Sequence, residues 1–201
     1  MSAPAPRIAP VPAEPADPAL REALLRWMPP GSGVAPLVLF RTLATHPPLM
    51  EAMRPLGAFI LGRKSGLTLR QRELLIDRVC ARYGCEYEWG VHVAAFGAAA
   101  KLDAAAVAAT VRGTPDDACF APDESALLRA VDALCEGTSL SDAIWSELGK
   151  HYSDAQRLEI LVAVNWYRAI STLCTALALP LEPWAARFPE VTAPAAPARR
   201  A

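Results

Sequence analysis

Between Glu73 and His92 the chain reads ELLIDRVCARYGCEYEWGVH, and four of these side chains can move protons or electrons: Glu73, Cys85, Glu88 and His92. At about 100° per helical residue, Cys85, Glu88 and His92 fall within roughly 60° of one another on one helix face. A thiol, a carboxylate and an imidazole on a stripe otherwise rich in apolar residues form a candidate reaction site. Glu88 and His92 are four apart, close enough to touch on a helix surface. A carboxylate beside an imidazole fixes its tautomer and raises its pKa, which makes a general acid or base. The bland alternative is a half-exposed ion pair of little worth. The apolar flank of His92 (Val91, Val93, Ala94, Ala95) argues for burial, and a buried charge needs a reason.

The other members of the stretch divide between chemistry and support. Cys85 at a helix start would gain thiolate character from the positive end of the helix dipole, whereas a cysteine is equally at home as a small buried hydrophobe. Glu73 reads alone as a first-turn carboxylate favouring the macrodipole. Arg78 and Arg82 lie on the preceding helix. Either could hold a substrate carboxylate, and Arg82 is the candidate of the two, with Tyr87 and Trp89 as wall residues of a binding site. Cys85 and His92 supply just two strong metal ligands, so no metal is expected.

The elements that must position these groups all read as helices. Pro18–Met28 is amphipathic and stops at Pro29-Pro30-Gly31; Leu37–Thr45 and Leu49–Gly62 follow. Thr68-x-x-Gln71 is a capping-box signature for a helix that ends at Gly84. A further helix runs from near Cys85 to about Ala100. Helices are expected over 103–112, from Asp123 to Leu134, from Ser141 to Lys150, and from Ser153, a second capping box with Gln156, to about Leu177. No segment shows strand alternation. TLRQRELLI at Thr68 echoes SDAQRLEIL at Ser153, which fits two related helical halves and fits two independent caps equally well. Residues 1–18 are rich in Pro and Ala and predict a disordered arm, residues 19–191 a single helical domain, and 192–201 a disordered tail.

Bulk properties narrow the classes. The chain has 201 residues, 53% of them hydrophobic, and a net charge of −1, so it can fill a core and carries no electrostatic footprint for nucleic acid. Five scattered cysteines without a CxxC pair exclude a zinc ribbon and point to reduced thiols. No secretory leader pattern and no membrane-length apolar run is present, so a cytoplasmic location is expected.

The spacing of the four groups resembles that of the carboxymuconolactone decarboxylases and AhpD-like alkylhydroperoxidases. The AhpD pattern is a Glu, eleven residues, Cys-x-x-Cys, three residues, then His. Here Glu73 is followed by eleven residues, then Cys85-Glu86-Tyr87-Glu88, then three residues and His92, so Glu88 stands in place of the second cysteine. The resemblance covers roughly Leu37 to Leu181. It implies an all-α AhpD-like bundle of about eight to nine helices, assembled as a homotrimer or homohexamer with the site near a subunit interface. It also implies that Glu73 relays protons to His92 across two packed helices. In AhpD-like enzymes the cysteine nearer the histidine attacks, and that is the one replaced, while decarboxylases of the family do without the pair.

Three readings follow. The first is a cofactor-free acid–base enzyme, a decarboxylase, lactone isomerase or related lyase acting on a small carboxylated substrate. His92 is then the acid/base, oriented by Glu88, with Glu73 as relay. The second is a thiol-dependent hydroperoxidase in which Cys85 attacks and Cys80 or an external thiol resolves. The third is a non-catalytic binding module.

Overall fold

The capping signatures read from sequence open two of the longest helices. Thr68 accepts from the Gln71 backbone while the Gln71 side chain accepts from the Thr68 N–H, and Ser153 and Gln156 repeat the arrangement. The computed structural model describes residues 5–29, 31 and 33–190. Over these it contains nine helices and no strand: α1 (Pro18–Leu25), α2 (Val38–Leu43), α3 (Pro47–Ile60), α4 (Leu69–Arg82), α5 (Glu86–Phe96), α6 (Ala104–Arg112), α7 (Pro122–Glu136), α8 (Asp142–Leu148) and α9 (Asp154–Ala176). The all-α, AhpD-like expectation holds.

Helix α4 is the hub, packing on α5, α6, α7 and α9. Leu75, Ile76 and Val79 of α4 join Leu127 and Val131 of α7 and Ile160 and Val164 of α9 in the main core. Leu74 turns the other way, into a smaller cluster with Ala106 of α6, Phe120 and Leu128. Burial on every side explains why nine consecutive residues of α4, Arg72 to Cys80, are inaccessible, charged ones included. Each such Leu or Ile contributes about 1.5–3 kcal/mol; each charged group must find a partner or neutralise.

Gly84 makes the turn that sets α5 against α4. Its φ of +62° is left-handed, where a Cβ is disfavoured, and the Cys85 N–H then reaches back to the Cys80 carbonyl at 2.8 Å. A C-terminal strap crosses the far side of α5. The Ala186 N–H donates to the Gly90 carbonyl at 3.0 Å, and a Cβ on Gly90 would lie 2.2 Å from the Ala186 carbonyl oxygen. The Phe188 N–H donates to Glu86, and the Tyr87 hydroxyl to Glu182 at 2.6 Å.

Several boundaries differ from the sequence reading. Helix α5 ends at Phe96 rather than near Ala100, because Lys101 adopts φ 56° and the Leu102 N–H closes the turn onto Gly97. Asp123 does not cap α7. Ala121 occupies that position, the Glu124 carboxylate accepts the Ala121 N–H, and Asp123 accepts from the Gln71 amide instead. Residues 5–17, expected within a disordered arm, carry no helix but are tied to the body. The Arg7 N–H donates to Leu177, the Val11 N–H to Arg41, and the Arg41 guanidinium back to Val11. Residues 1–4 of that arm and the expected tail over 192–201 lie outside the described residues. No helix among the described residues is long and apolar enough to cross a membrane.

Candidate functional site

Glu73 belongs to the first turns of α4 and His92 to the last turns of α5, and the Gly84 turn folds one onto the other. His92 Nδ1 lies 2.7 Å from Glu73 Oε2, and His92 Nε2 lies 3.4 Å from Glu88 Oε1. The second Glu73 oxygen accepts from Arg72 Nε at 3.0 Å, and Arg72 also donates to the Leu61 carbonyl. All four side chains are buried. Tyr167 of α9 meets the imidazole edge-on, with centroids 5.3 Å apart, and Phe96 lies at the same distance, tilted to the ring.

Burial alone would push the His92 pKa down. The charge of Glu73 and the hydrogen bonds to Glu73 and Glu88 outweigh it and raise it to about 10. At neutral pH the ring is therefore an imidazolium. With Arg72 it balances the two carboxylates, which makes the burial of four ionisable groups tolerable.

The array opens onto a cavity of about 660 Å³ between the segment that follows α1 and helices α2, α3, α5 and α9, reached by Glu88 and His92 but not by Cys85. Its walls are mainly apolar, with Leu39, Phe40, Val91 and Trp166 among them, and Arg26 and Arg54 are its other charged residues. Three polar atoms of its lining are buried without a hydrogen-bond partner among the described residues: Glu88 Oε2, Trp27 Nε1 and Arg54 Nε. An acceptor and two donors left unsatisfied in an apolar cavity are what a ligand would satisfy.

Cys85 is the N-cap residue of α5 and is 1% exposed. Its sulfur makes no capping hydrogen bond of ordinary geometry, but the Glu88 N–H lies close enough to favour a thiolate. It lies by Ser171 and Cys174 of α9 and does not line the cavity. Glu73, Glu88 and His92 thus come together without it.

The three expected substrate-binding residues do not reach the array. Arg82 forms a two-point ion pair with Asp132 of α7, at 2.8 and 2.6 Å. The Tyr87 hydroxyl is held between Glu182 and the Leu39 N–H, and the Trp89 indole donates to Thr110. Their polar atoms are spent on tying α5 and α4 to neighbouring elements. Arg78, the other arginine weighed for a substrate carboxylate, is also bound to Asp132 and is buried. Among the described residues no three His, Cys, Asp or Glu side chains gather into a metal-binding group.

Sequence reasoning missed Asp77. It lies one turn beyond Glu73 on α4, is fully buried, and neither carboxylate oxygen has a hydrogen-bond partner among the described residues. Burial lifts its pKa well above the ordinary value, against the pull of His92, so the fold favours the neutral acid. The signal was present: an aspartate inside the apolar run LLIDRV, in register with Glu73. The unfolded chain ionises this group above pH 3.8 and the folded protein does so only at higher pH, so wild-type stability falls as pH rises from there. Asp77→Asn is expected to raise the thermal midpoint at pH 7 and to leave it unchanged near pH 4, as scanning calorimetry at the two pH values would show.

Residues 47–133, which contain Glu73, Cys85, Glu88 and His92, match the model of the carboxymuconolactone decarboxylase family. An uncharacterised peroxidase-related protein of Ralstonia eutropha, described as an alkylhydroperoxidase AhpD core, superposes with a TM-score of 0.77 at 17% identity, over 90% of this chain and 95% of that one. A peroxidase-related protein of Silicibacter sp. gives 0.76 at 18%, over 94% and 100%. The debrominase Bmp8 in complex with 2,3,4-tribromopyrrole gives 0.71 at 19%, over 90% and 95%. No curated protein matches the chain. Residues 47–133 are thus similar in sequence to the carboxymuconolactone decarboxylase family, and the chain shares the helical fold of the AhpD-like proteins.

Proposed function

We propose that the protein is an enzyme of acid–base chemistry, acting on a small carboxylated substrate with an apolar body. The observation that carries this reading is that Glu88 and His92 reach the cavity whereas Cys85 does not. Glu88 Oε2, free of partners, takes a proton from carbon next to a carbonyl or carboxyl group. The His92 imidazolium returns one from Nε2 to the developing enolate or carbanion, with Glu73 holding Nδ1. The roles differ from those read in sequence: Glu73 orients the ring, and Glu88 faces the substrate. Arg54 or Arg26 on the cavity wall suits the substrate carboxylate, and Trp27 Nε1 a further acceptor. A lactone isomerase would use both groups, and a decarboxylase, in which loss of CO2 leaves the carbanion, would use His92 to protonate it. The debrominase captured with 2,3,4-tribromopyrrole supports a small ring as a ligand for the fold. An oligomer, trimeric or hexameric, accords with the apolar side chains that α3 and α9 expose: Leu49, Leu56, Phe59, Leu158 and Val162.

The test is a panel of aryl and alkenyl carboxylic acids, β-keto acids and unsaturated lactones incubated with the protein in D2O. NMR would follow deuterium entering beside the carbonyl, and gas analysis the release of CO2. Exchange or decarboxylation with at least one member, lost in Glu88→Gln, is expected. Exchange that survives Glu88→Gln unchanged would remove the carboxylate from the reaction.

A further inference from the structure

The two arginines on the cavity wall are not equivalent. Arg26 is engaged on both terminal nitrogens, with Glu22 at 3.3 Å and Glu51 at 3.0 Å. Arg54, on α3, has its Nε buried with no acceptor within hydrogen-bond reach; its nearest carboxylate oxygen, on Glu51, lies 3.9 Å away. Trp27 Nε1 is a second buried donor on the same cavity, also without an acceptor. A guanidinium edge and an indole N–H, both unsatisfied, suit one carboxylate. Glu88 Oε2, the unpaired acceptor on α5, repels a carboxylate, so the charged end of an acid belongs at α3.

The size and lining of the cavity define the rest of the ligand. About 660 Å³ falls within the range of about 300–1,000 Å³ that takes drug-sized molecules. Small residues leave the room: Gly57 and Ala58 of α3, and Ala94 and Ala95 of α5. Aromatic rings reach it from several segments, with Trp27 after α1, Phe40 on α2, Phe96 on α5, Trp166 on α9 and Trp184 in the C-terminal strap. A flat aromatic body gains offset and edge contacts with such rings that an alkyl chain does not.

We infer that the substrate is an aryl carboxylate of two-ring size, its carboxylate held by Arg54 Nε and Trp27 Nε1 and its rings among the cavity's aromatics. This deepens, and rests on, the reading of this cavity as the substrate site. It assigns the anchoring role to Arg54 over Arg26. It also turns the ring end of the acid, with any carbonyl it carries, toward Glu88 and His92.

Isothermal titration calorimetry of the full chain at pH 7, backed by saturation-transfer NMR, tests this with four probes: 2-naphthylacetate, phenylacetate, dodecanoate and 2-naphthylacetamide. Naphthylacetate and dodecanoate have equal numbers of carbon and oxygen atoms, so they compare shape at equal size. Phenylacetate removes one ring, and the amide removes the charge. Naphthylacetate is expected to bind at least about tenfold more tightly than each of the others. Arg54→Gln, at a half-buried position, should weaken it by about ten- to a hundredfold and erase the preference for acid over amide. Trp27→Phe keeps a ring and loses the donor, and should weaken it by a few fold. Ala58→Leu, at an exposed position that the fold tolerates, should narrow the cavity and weaken naphthylacetate more than phenylacetate. Dodecanoate or phenylacetate binding as tightly as naphthylacetate overturns the inference. So does affinity kept in Arg54→Gln and lost in Arg26→Gln, or no binding of any probe by either method. Binding is read without turnover. Tight naphthylacetate binding with no exchange across the substrate panel would sink the acid–base reading alone, and exchange on a one-ring acid with no naphthylacetate binding would sink this inference alone.

Discussion

His92→Gln is expected to lower kcat/KM by about 10²–10⁴ on whichever substrate the exchange panel identifies, because the general acid is gone while its space stays filled. Glu73→Gln tests the same group differently. In the wild type the ring stays protonated up to about pH 10, since Glu73 and Glu88 overcome the cost of burial. Removing the Glu73 charge leaves burial with less opposition, so the His92 pKa falls. A rate that needs the imidazolium then declines at a lower pH, and the alkaline limb of the pH–rate profile shifts to the acid side. Stability follows the same sign. A raised histidine pKa stabilises the fold fully below the unfolded value of about 6.5, and that contribution is lost as pH rises through about 10. Cys85→Ser spares most of this activity, because Cys85 does not face the cavity. Activity retained in His92→Gln and abolished in Cys85→Ser would transfer the chemistry to the thiol.

What distinguishes the two carboxylates is where each is anchored. Glu73 is gripped by Arg72 and by His92 and touches nothing in the cavity, so it holds the ring's tautomer and charge. Glu88 has one oxygen near His92 and one without a partner, on a wall that a ligand reaches. Glu73 loss should therefore act through His92, with a shifted pH profile, and Glu88 loss directly on the rate.

The helices were legible because their signals are local. Thr68 and Gln71, Ser153 and Gln156, and Gly84 each act within four residues, and each does in the structure what its spacing predicts. The juxtaposition of Glu73 with His92 came from the family spacing; periodicity alone left Glu73 as an ordinary first-turn carboxylate. The errors concern partners distant in sequence. Arg82 and Arg78 have the look of anion binders, and only the arrival of Asp132, 50 and 54 residues away, shows that they are already occupied. Tyr87 is similarly taken by Glu182 and Trp89 by Thr110. Asp77 was visible as an oddity, but its lack of a partner is a property of the packing around it.

Asp132→Ala is expected to destabilise the fold by about 3–5 kcal/mol, because it strips the counter-ion from a buried guanidinium. Arg78 is 1% exposed, and Asp132 takes its Nε and one terminal nitrogen, each at 2.7 Å. The remaining terminal nitrogen donates to the carbonyls of Ala109, Thr110 and Gly113, at the C-terminal end of α6, where the helix dipole is negative. One arginine on α4 thereby fastens both α6 and α7, and α4 carries Glu73. Without Asp132 the α6 contacts persist, but Nε and the other nitrogen are left buried without acceptors. Burial alone would raise the Asp132 pKa, yet Arg78 and Arg82 hold it below the ordinary 3.8, so the tie is present above that value and weakens as the pH falls through the lowered one. Arg82→Ala should cost far less, about 0–1 kcal/mol, because its side chain is 39% exposed and water replaces what it loses. Urea denaturation at pH 7 would separate the two. The Asp132→Ala midpoint should fall by about 1–3 M at an ordinary dependence on denaturant, and that of Arg82→Ala by a small fraction of this. Equal shifts in the two variants would mean that Arg82, not Arg78, bears the tie between α4 and α7.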